Sequence, residues 1–281
     1  MNKISLLFQR IVVFSLTFYL ANITQIAAQS KQLRKNHLKT AKVTFIQPNL
    51  VKKPENRGAP KERTGAGTRG ECPTLANKPK LTGLVPLMQI TDKQKQLEAT
   101  NTLISEFVLG LTVSEYPTFW FYVPYLPKDI KFSKFILLDE NKNSVMKEPL
   151  AITISEIPGV ISVQIPKTEK ALEIGKYYHW YFVINCNSQG NSEDTAVEGL
   201  VKRIDPNPDL ERRLQLATPK ERVGLYAEAG IWQDAISLLG ELRRTQPQDS
   251  HLVSDWQDLL ESIDLNSVMN EPITPCCALN N

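Results

Sequence analysis

Histidine is scarce in this chain: three in 281 residues, His37, His179 and His251, far apart in sequence. None sits at a spacing that could ligate a metal, and no H-E-x-x-H pair is present, so the common zinc-hydrolase classes have no signature here. A G-x-S-x-G turn and a Walker loop are also missing, which leaves serine-elbow and nucleotide-phosphate chemistry without a local motif. Beyond the first thirty residues no apolar run approaches the ~20 residues that a bilayer span requires, so no stable transmembrane anchor is expected. Acid is scarce only in the first seventy residues, where Glu55 and Glu62 are the sole acids. Residues 31–70 hold eleven Lys and Arg against Glu55 and Glu62, a local charge of +9 inside a chain whose net charge is +3. With +2 over residues 1–30, the remainder carries −8. A basic arm is attached to an acidic body.

Residues 1–28 have the build of an export signal: Lys3 and Arg10, an apolar core from Ile11 to Leu20 continuing to Ile23, and small residues Ala27 and Ala28 where cleavage is expected. Export to the periplasm or the exterior places the four cysteines in an oxidising compartment. Cys72 is expected to pair with Cys186, because Cys186 would share a strand face with Trp180, and a disulfide packed on a core Trp is a familiar sandwich arrangement. Cys276 and Cys277 are neighbours. For them a bond to either of the other cysteines, an intermolecular link and a metal-binding thiol pair all stay open.

Residues 29–70 are Lys-rich and punctuated by Pro and Gly, with one apolar island at Val43–Ile46, and read as a disordered basic arm. Gly65, Gly67 and Gly70 satisfy G-x-G-x-x-G. No strand precedes them and Pro73 stands where a helix should open, so no dinucleotide cofactor is expected. Arg57, Arg63 and Arg69 are candidate binding residues for an anionic envelope surface or for the chain's own acidic body, and no nucleic acid is expected.

Residues 71–204 read as short strands between turn signals. The firmest is Tyr177–Cys186, which if extended places Tyr178, Trp180, Phe182, Ile184 and Cys186 on one face and Tyr177, His179, Tyr181 and Val183 on the other. Both faces are heavy, as in a central strand with little water on either side. Tyr178 follows Gly175 and Leu172 at a spacing that suits the tie of a strand-start tyrosine to upstream backbone in immunoglobulin-like sandwiches. Pro117–Tyr125 reads as a second strand; as a core strand it needs no ligand, and if it is instead an aromatic platform that stacks on a ligand, Trp120 and Tyr122 rather than the Phe119 and Phe121 face are the exposed residues. Further strands are expected at Leu81–Gln89, Phe107–Val113, Phe132–Leu138, Ser144–Lys147, Leu150–Ile154, Ile161–Ile165 and Ala196–Arg203, with a polar loop over Ser188–Asp194 and a loop or one helical turn over Asp92–Thr100.

From Asp205 the pattern becomes helical. Asn207 can cap a helix opening at Pro208, Thr218-Pro219-Lys220-Glu221 is a capping box, a third helix runs from about Trp232 to Thr245, and a fourth starts near Ser250. Tyr226, Gly230, Ala235, Leu239 and Pro247 match later positions of the tetratricopeptide pattern. A single such hairpin cannot bury its face alone, so packing on the sandwich is expected. The fold expected is therefore an Ig-like, Greek-key β-sandwich over 71–204 followed by a tetratricopeptide-like helical region over 205–265 and a tail over 266–281. Acids such as Glu228, Asp234, Glu193 and Asp194 form no selected acid/base pair.

Arg57-Gly58-Ala59-Pro60, Gly67-Thr68-Arg69-Gly70-Glu71-Cys72-Pro73, Pro117–Tyr125, Gly175–Trp180, and Tyr226 with Gly230-Ile231-Trp232-Gln233-Asp234-Ala235 carry a resemblance. Over roughly Arg57 to Leu265 the chain resembles the cyanobacterial family called domain of unknown function 928. The resemblance implies an exported protein of no assigned activity and carries over no catalytic residue. The functional expectation is a non-catalytic binding or interaction module of the cell envelope, acting on an envelope protein or polymer. The competing expectation is a secreted hydrolase with its site between sandwich and helices.

Overall fold

A computed structural model describes residues 42–48, 60–67, 72, 77–91, 104–188 and 191–274. The signal segment, Arg57, Arg69, Asp92–Thr100 and the Cys276-Cys277 pair lie outside the described residues. The chain divides into two compact units, Met1–Lys42 and Val43–Asn281, and every element below belongs to the second.

The strands are β1 (Ala66–Gly67), β2 (Thr82–Gly83), β3 (Leu87–Thr91), β4 (Ile104–Thr112), β5 (Thr118–Val123), β6 (Ile130–Leu138), β7 (Leu150–Ala151), β8 (Gly159–Gln164), β9 (Tyr177–Ser188) and β10 (Asn191–Arg203). They form a seven-stranded sheet in the order β3-β4-β10-β9-β6-β7, with β1 also on β10, and a three-stranded sheet β2-β5-β8. Pairing is antiparallel throughout except between β10 and β4. The chain passes between the sheets at β1–β2, β2–β3, β4–β5, β5–β6, β7–β8 and β8–β9. Mixed α/β architecture follows from four helices after the last strand: α1 (Pro208–Leu216), α2 (Pro219–Glu228), α3 (Trp232–Thr245) and α4 (Ser250–Glu261).

β9 is central, paired with β10 on one side and β6 on the other. Its period-2 alternation puts Tyr178, Trp180, Phe182, Ile184 and Cys186 in the core. They meet the small sheet through aromatic edges: Phe121 lies 4.5 Å from Phe182 and 5.6 Å from Trp180, and Phe119 lies 4.8 Å from Phe135 of β6. The other face is wetter than the sequence suggests. Tyr177, His179, Tyr181 and Val183 are half-buried, because no layer of described residues covers the outer side of the large sheet along β9. The Tyr178 hydroxyl accepts a hydrogen bond from the Glu173 N–H at 2.8 Å, the backbone tie expected from the Gly175 spacing. Cys72 and Cys186 form a disulfide with Cα atoms 5.6 Å apart. It closes a sequence separation of 114 residues, and in the chain-entropy picture that constraint contributes about 5 kcal/mol.

The second face of β5 faces protein. Trp120 and Tyr122 are 2% and 0% exposed, so the aromatic platform expected there does not meet solvent. A second core covers it: Trp120 packs 5.7 Å from Trp256 of α4, donates Nε1–H to Ser237 Oγ at 3.1 Å, and carries the Arg244 guanidinium 4.9 Å above its ring. A side chain at Gly240 would overlap the Trp120 ring, so α3 can lie this close only because Gly240 has none. The result is that α3 packs on β5 of the small sheet and on the end of β4 of the large one, and β5 is buried on both sides.

Local signals set the helices. Asn207 Oδ1 accepts from Leu210 N at 2.8 Å, Thr218 and Glu221 form a reciprocal capping box, and Gly230 ends the second helical segment at φ +72°. Trp232 Nε1–H donates to Leu84 O at 2.8 Å, and Phe45 packs edge-on against the Trp232 ring at 5.2 Å. Phe45 therefore moves out of the expected disordered arm into the core. Residues 60–67 do the same: Pro60 and Gly65 are buried, and β1 pairs with β10. Gly65 and Gly67 thus serve strand packing. At the other end, Leu265 and Val268 are buried, and Pro272 and Thr274 exchange backbone hydrogen bonds with Val160 at the edge of β8. Part of the expected tail is structural. The loop expected at Ser188–Asp194 is shorter too, because β9 and β10 continue as a ribbon with Asn185 Nδ2 donating to Asp194 Oδ1 at 2.5 Å.

Candidate functional site

Where β4 ends, the chain turns through Val113–Pro117 into β5, and this turn is tied by hydroxyls. Ser114 N–H donates to Thr112 Oγ1 at 3.0 Å and Tyr116 N–H to Ser114 Oγ at 3.1 Å. Helices α2 and α3 pass beside it. Between them lies an open groove of about 310 Å³, lined by the turn, by Gln164 of β8, by Arg222 and Tyr226 of α2, and by Gln233, Asp234, Ser237 and Glu241 of α3.

Asp234 is the strut of this groove. Its Oδ2 accepts from Thr112 Oγ1 at 2.8 Å and from Val113 N at 3.1 Å, tying the first turn of α3 to the end of β4. Burial pushes its carboxyl up to about 6, against those hydrogen bonds, which favour the charged form. Tyr226 is shifted upward by burial and by the Asp234 charge, so its phenol stays neutral. Glu241 is bound to Arg244 at 2.6 Å, and Arg222 Nε donates to Leu214 O and Ala217 O at 2.9 and 3.2 Å. Ser237 Oγ receives Trp120 and lies 3.4 Å from Thr118 O. Gln233 is different. Its side chain is 3% exposed and lies across Gly110, where a Cβ would come 3.1 Å from its Cδ, and its carbonyl Oε1 has no partner among the described residues.

The arrangement is poorly suited to acid/base catalysis. Asp234 and Glu241 share one face of α3 but stand two turns apart, roughly 10 Å along the axis, and each leans on a different partner. A carboxylate pair that works on one bond must converge on it.

A second polar cluster lies on the outer face of the large sheet. His179 Nδ1 is 3.1 Å from Tyr181 Oη, and its Nε2 lies 2.8 Å from Glu198 Oε2 without hydrogen-bond alignment. Burial first, then the Glu198 charge, raises the Tyr181 phenol. Beside it an open hollow of about 420 Å³ runs along Pro60–Thr64 and Ala196–Glu198. Among the described residues the partners of His179 are Tyr181 and Glu198, and no serine, threonine or cysteine hydrogen-bonds to it.

The residues singled out in the sequence are scattered by the fold. Trp120 and Tyr122 are interior. Arg63 is half-buried and donates to Val85 O at 3.3 Å and Asp264 O at 3.1 Å, bracing the 60–67 segment against the turn after α4. Arg57 and Arg69 are outside the described residues. The groove residues Thr112, Tyr116 and Gln164 carried no sequence motif, and Gln233 stood only inside the Gly230–Ala235 block of the family resemblance. One signal could have found Gln233: it stands on the apolar stripe of α3 in line with Ile236 and Gly240, where a polar side chain needs a reason. Among the described residues no group of three or more His, Cys, Asp or Glu could hold a metal ion. No helix of the described chain is long and apolar enough to cross a membrane.

The family model described as Domain of Unknown Function (DUF928) matches residues 64–273. No curated protein and no solved structure matches the chain.

Proposed function

The chain belongs to the DUF928 family, and on that premise we propose that it is an exported, non-catalytic binding module of the cell envelope whose binding site is the groove between the Val113–Pro117 turn and helices α2 and α3. One observation carries this reading. The groove is open and its lining is polar, with the hydroxyls of Ser114, Tyr116 and Tyr226 and the Gln164 amide beside Asp234, Glu241 and Arg222, side chains that can meet a ligand with hydrogen bonds.

We further propose that the two sheets form an Ig-like Greek-key sandwich and that the helices are a tetratricopeptide-like hairpin clasped to it. The Tyr178 tie, the passages between sheets and the cover that α3 gives β5 support this. Export to the periplasm or exterior, an envelope polymer or protein as partner, and a cyanobacterial source belong to the same proposal, supported by the residue 1–28 pattern and the family resemblance.

A hydrolase is the second reading, because Asp234, with its raised carboxyl pKa, stands in a groove between the strand and helix layers. The two readings separate in one experiment. Mature protein, Tyr226→Ala and Asp234→Asn are tested for retention on the envelope fraction and for release of product from ester, glycoside and peptide substrates. Binding without turnover, lost in Tyr226→Ala, supports the module; turnover that Asp234→Asn abolishes would establish the hydrolase instead.

A further inference from the structure

Arg222, on the wall of the groove, is a half-buried cation with no acidic partner among the described residues. Its Nε donates to Leu214 O at 2.9 Å and to Ala217 O at 3.2 Å, both neutral carbonyls of the α1–α2 corner. These bonds use one of its three nitrogens and fix the plane of the guanidinium. The two Nη groups take no acceptor from the described chain and are not enclosed. A guanidinium held this way is a prepared fork, whose parallel N–H donors match the two oxygens of a carboxylate. The surroundings limit the charge of the anion. Asp234 gives its carboxylate to Thr112 and Val113, and Glu241 pairs with Arg244, so both acids share the lining without neutralising Arg222. One guanidinium near two acids suits a single negative charge and disfavours a phosphate monoester, which carries nearly two.

Tyr226 adds a donor. Burial and the Asp234 charge keep its phenol protonated, and the Arg222 charge acts on it, so an O–H group stands near the fork. The aliphatic share of the lining is Pro117 and Leu238, little surface for the last side chain of a peptide. A sugar acid instead carries its carboxylate on a ring of hydroxyls, which the Ser114 hydroxyl and the Gln164 amide can meet. Resting on the binding reading above, we infer that the groove is a carboxylate site for an acidic polysaccharide, with the Arg222 Nη fork holding the carboxylate of one uronic acid residue and the Tyr226 hydroxyl donating to it.

The test titrates the full mature chain by calorimetry, at low and high salt, with a galacturonic acid trisaccharide, the same trisaccharide with its carboxyls reduced to alcohols, and one short peptide with a free or an amidated C-terminus. Short ligands are used because the basic arm over residues 31–70 would hold a long polyanion whatever the groove does. The acidic trisaccharide is expected to bind, more weakly as salt rises, and its reduced form is not. Arg222→Gln should weaken binding about 10–100-fold and flatten the salt dependence. Arg222→Lys keeps the charge but loses the fork, and should weaken it about tenfold. Tyr226→Phe removes one O–H donor, for a loss of about fivefold, and leaves the corner bonds of Arg222 in place; near-ultraviolet circular dichroism shows that each variant is folded. Equal binding of the reduced trisaccharide, or binding that neither Arg222→Gln nor Tyr226→Phe changes, would overturn the carboxylate site. Binding of the free-carboxyl peptide without the trisaccharide would overturn the polysaccharide as its source. No binding of either, with envelope retention still lost in Tyr226→Ala, would overturn this inference and leave the binding reading; absence of retention as well would remove both.

Discussion

Asp234→Asn is the sharpest perturbation that the groove allows, because it changes charge with almost no change of shape. Asn Oδ1 can take the place of Asp234 Oδ2 and accept the same two hydrogen bonds from Thr112 and Val113. What it removes is a buried titration. In the native protein burial lifts the carboxyl from 3.8 to about 6. The native state therefore holds that proton more tightly than the unfolded chain does. The stability so conferred is complete below about pH 4 and is lost as pH rises through about 6. A shift of about two pKa units corresponds to at most about 3 kcal/mol. Other carboxylates titrate over the same range, so the informative quantity is the difference between variant and parent. Urea denaturation of both proteins with the disulfide intact, at pH 4, 5, 6 and 7, should show the variant gaining on the parent by up to about 3 kcal/mol from the lowest pH to the highest. A difference that is flat with pH, or that falls as pH rises, would refute the burial argument and remove the basis for treating Asp234 as a desolvated strut.

Three further outcomes follow from the packing. Reducing Cys72–Cys186, or replacing both cysteines with serine, should cost about 5 kcal/mol if unfolded-chain entropy is the main term, read from the denaturant midpoint with and without reductant. Trp120→Ala should cost about 3–5 kcal/mol in thermal or chemical unfolding; a near-neutral effect would mean that the β5 face is open to solvent after all. Gly240→Ala adds a methyl group where the Trp120 ring lies and should cost about 1–3 kcal/mol by overpacking, visible as a lower melting temperature.

Much of this architecture is local and therefore legible. The alternation along β9 names its buried face residue by residue, and the Thr218–Glu221 box and the Trp232–Thr245 stripe mark helices whose ends the structure reproduces closely. Where reading fails, the cause is a partner distant in sequence. β5 has two apolar faces, and nothing in Pro117–Tyr125 tells whether Trp120 meets water or α3, more than a hundred residues later. Phe45 looks like an island in a basic arm until Trp232 supplies its partner. The Ser188–Asp194 stretch is polar, as a loop would be, yet the backbone register of β9 and β10 runs through Ser188 and Asn191, and Asp194 accepts from Asn185 across the ribbon. The groove was the least visible of all, since Thr112, Gln164, Tyr226 and Gln233 come from four elements and become neighbours only when α3 docks on β5. Asp234 was noticed as one acid among several; its distinction lies in Thr112 and Val113, which no local pattern connects to it.

Hydrogen exchange of the mature protein with and without its solubilised envelope polysaccharide fraction addresses the location of binding most directly. Added protection confined to residues 112–118 and 222–241 is the expected result. Protection centred instead on the outer face of β9, around His179 and Tyr181, or no change anywhere, would contradict the assignment of the groove as the binding site.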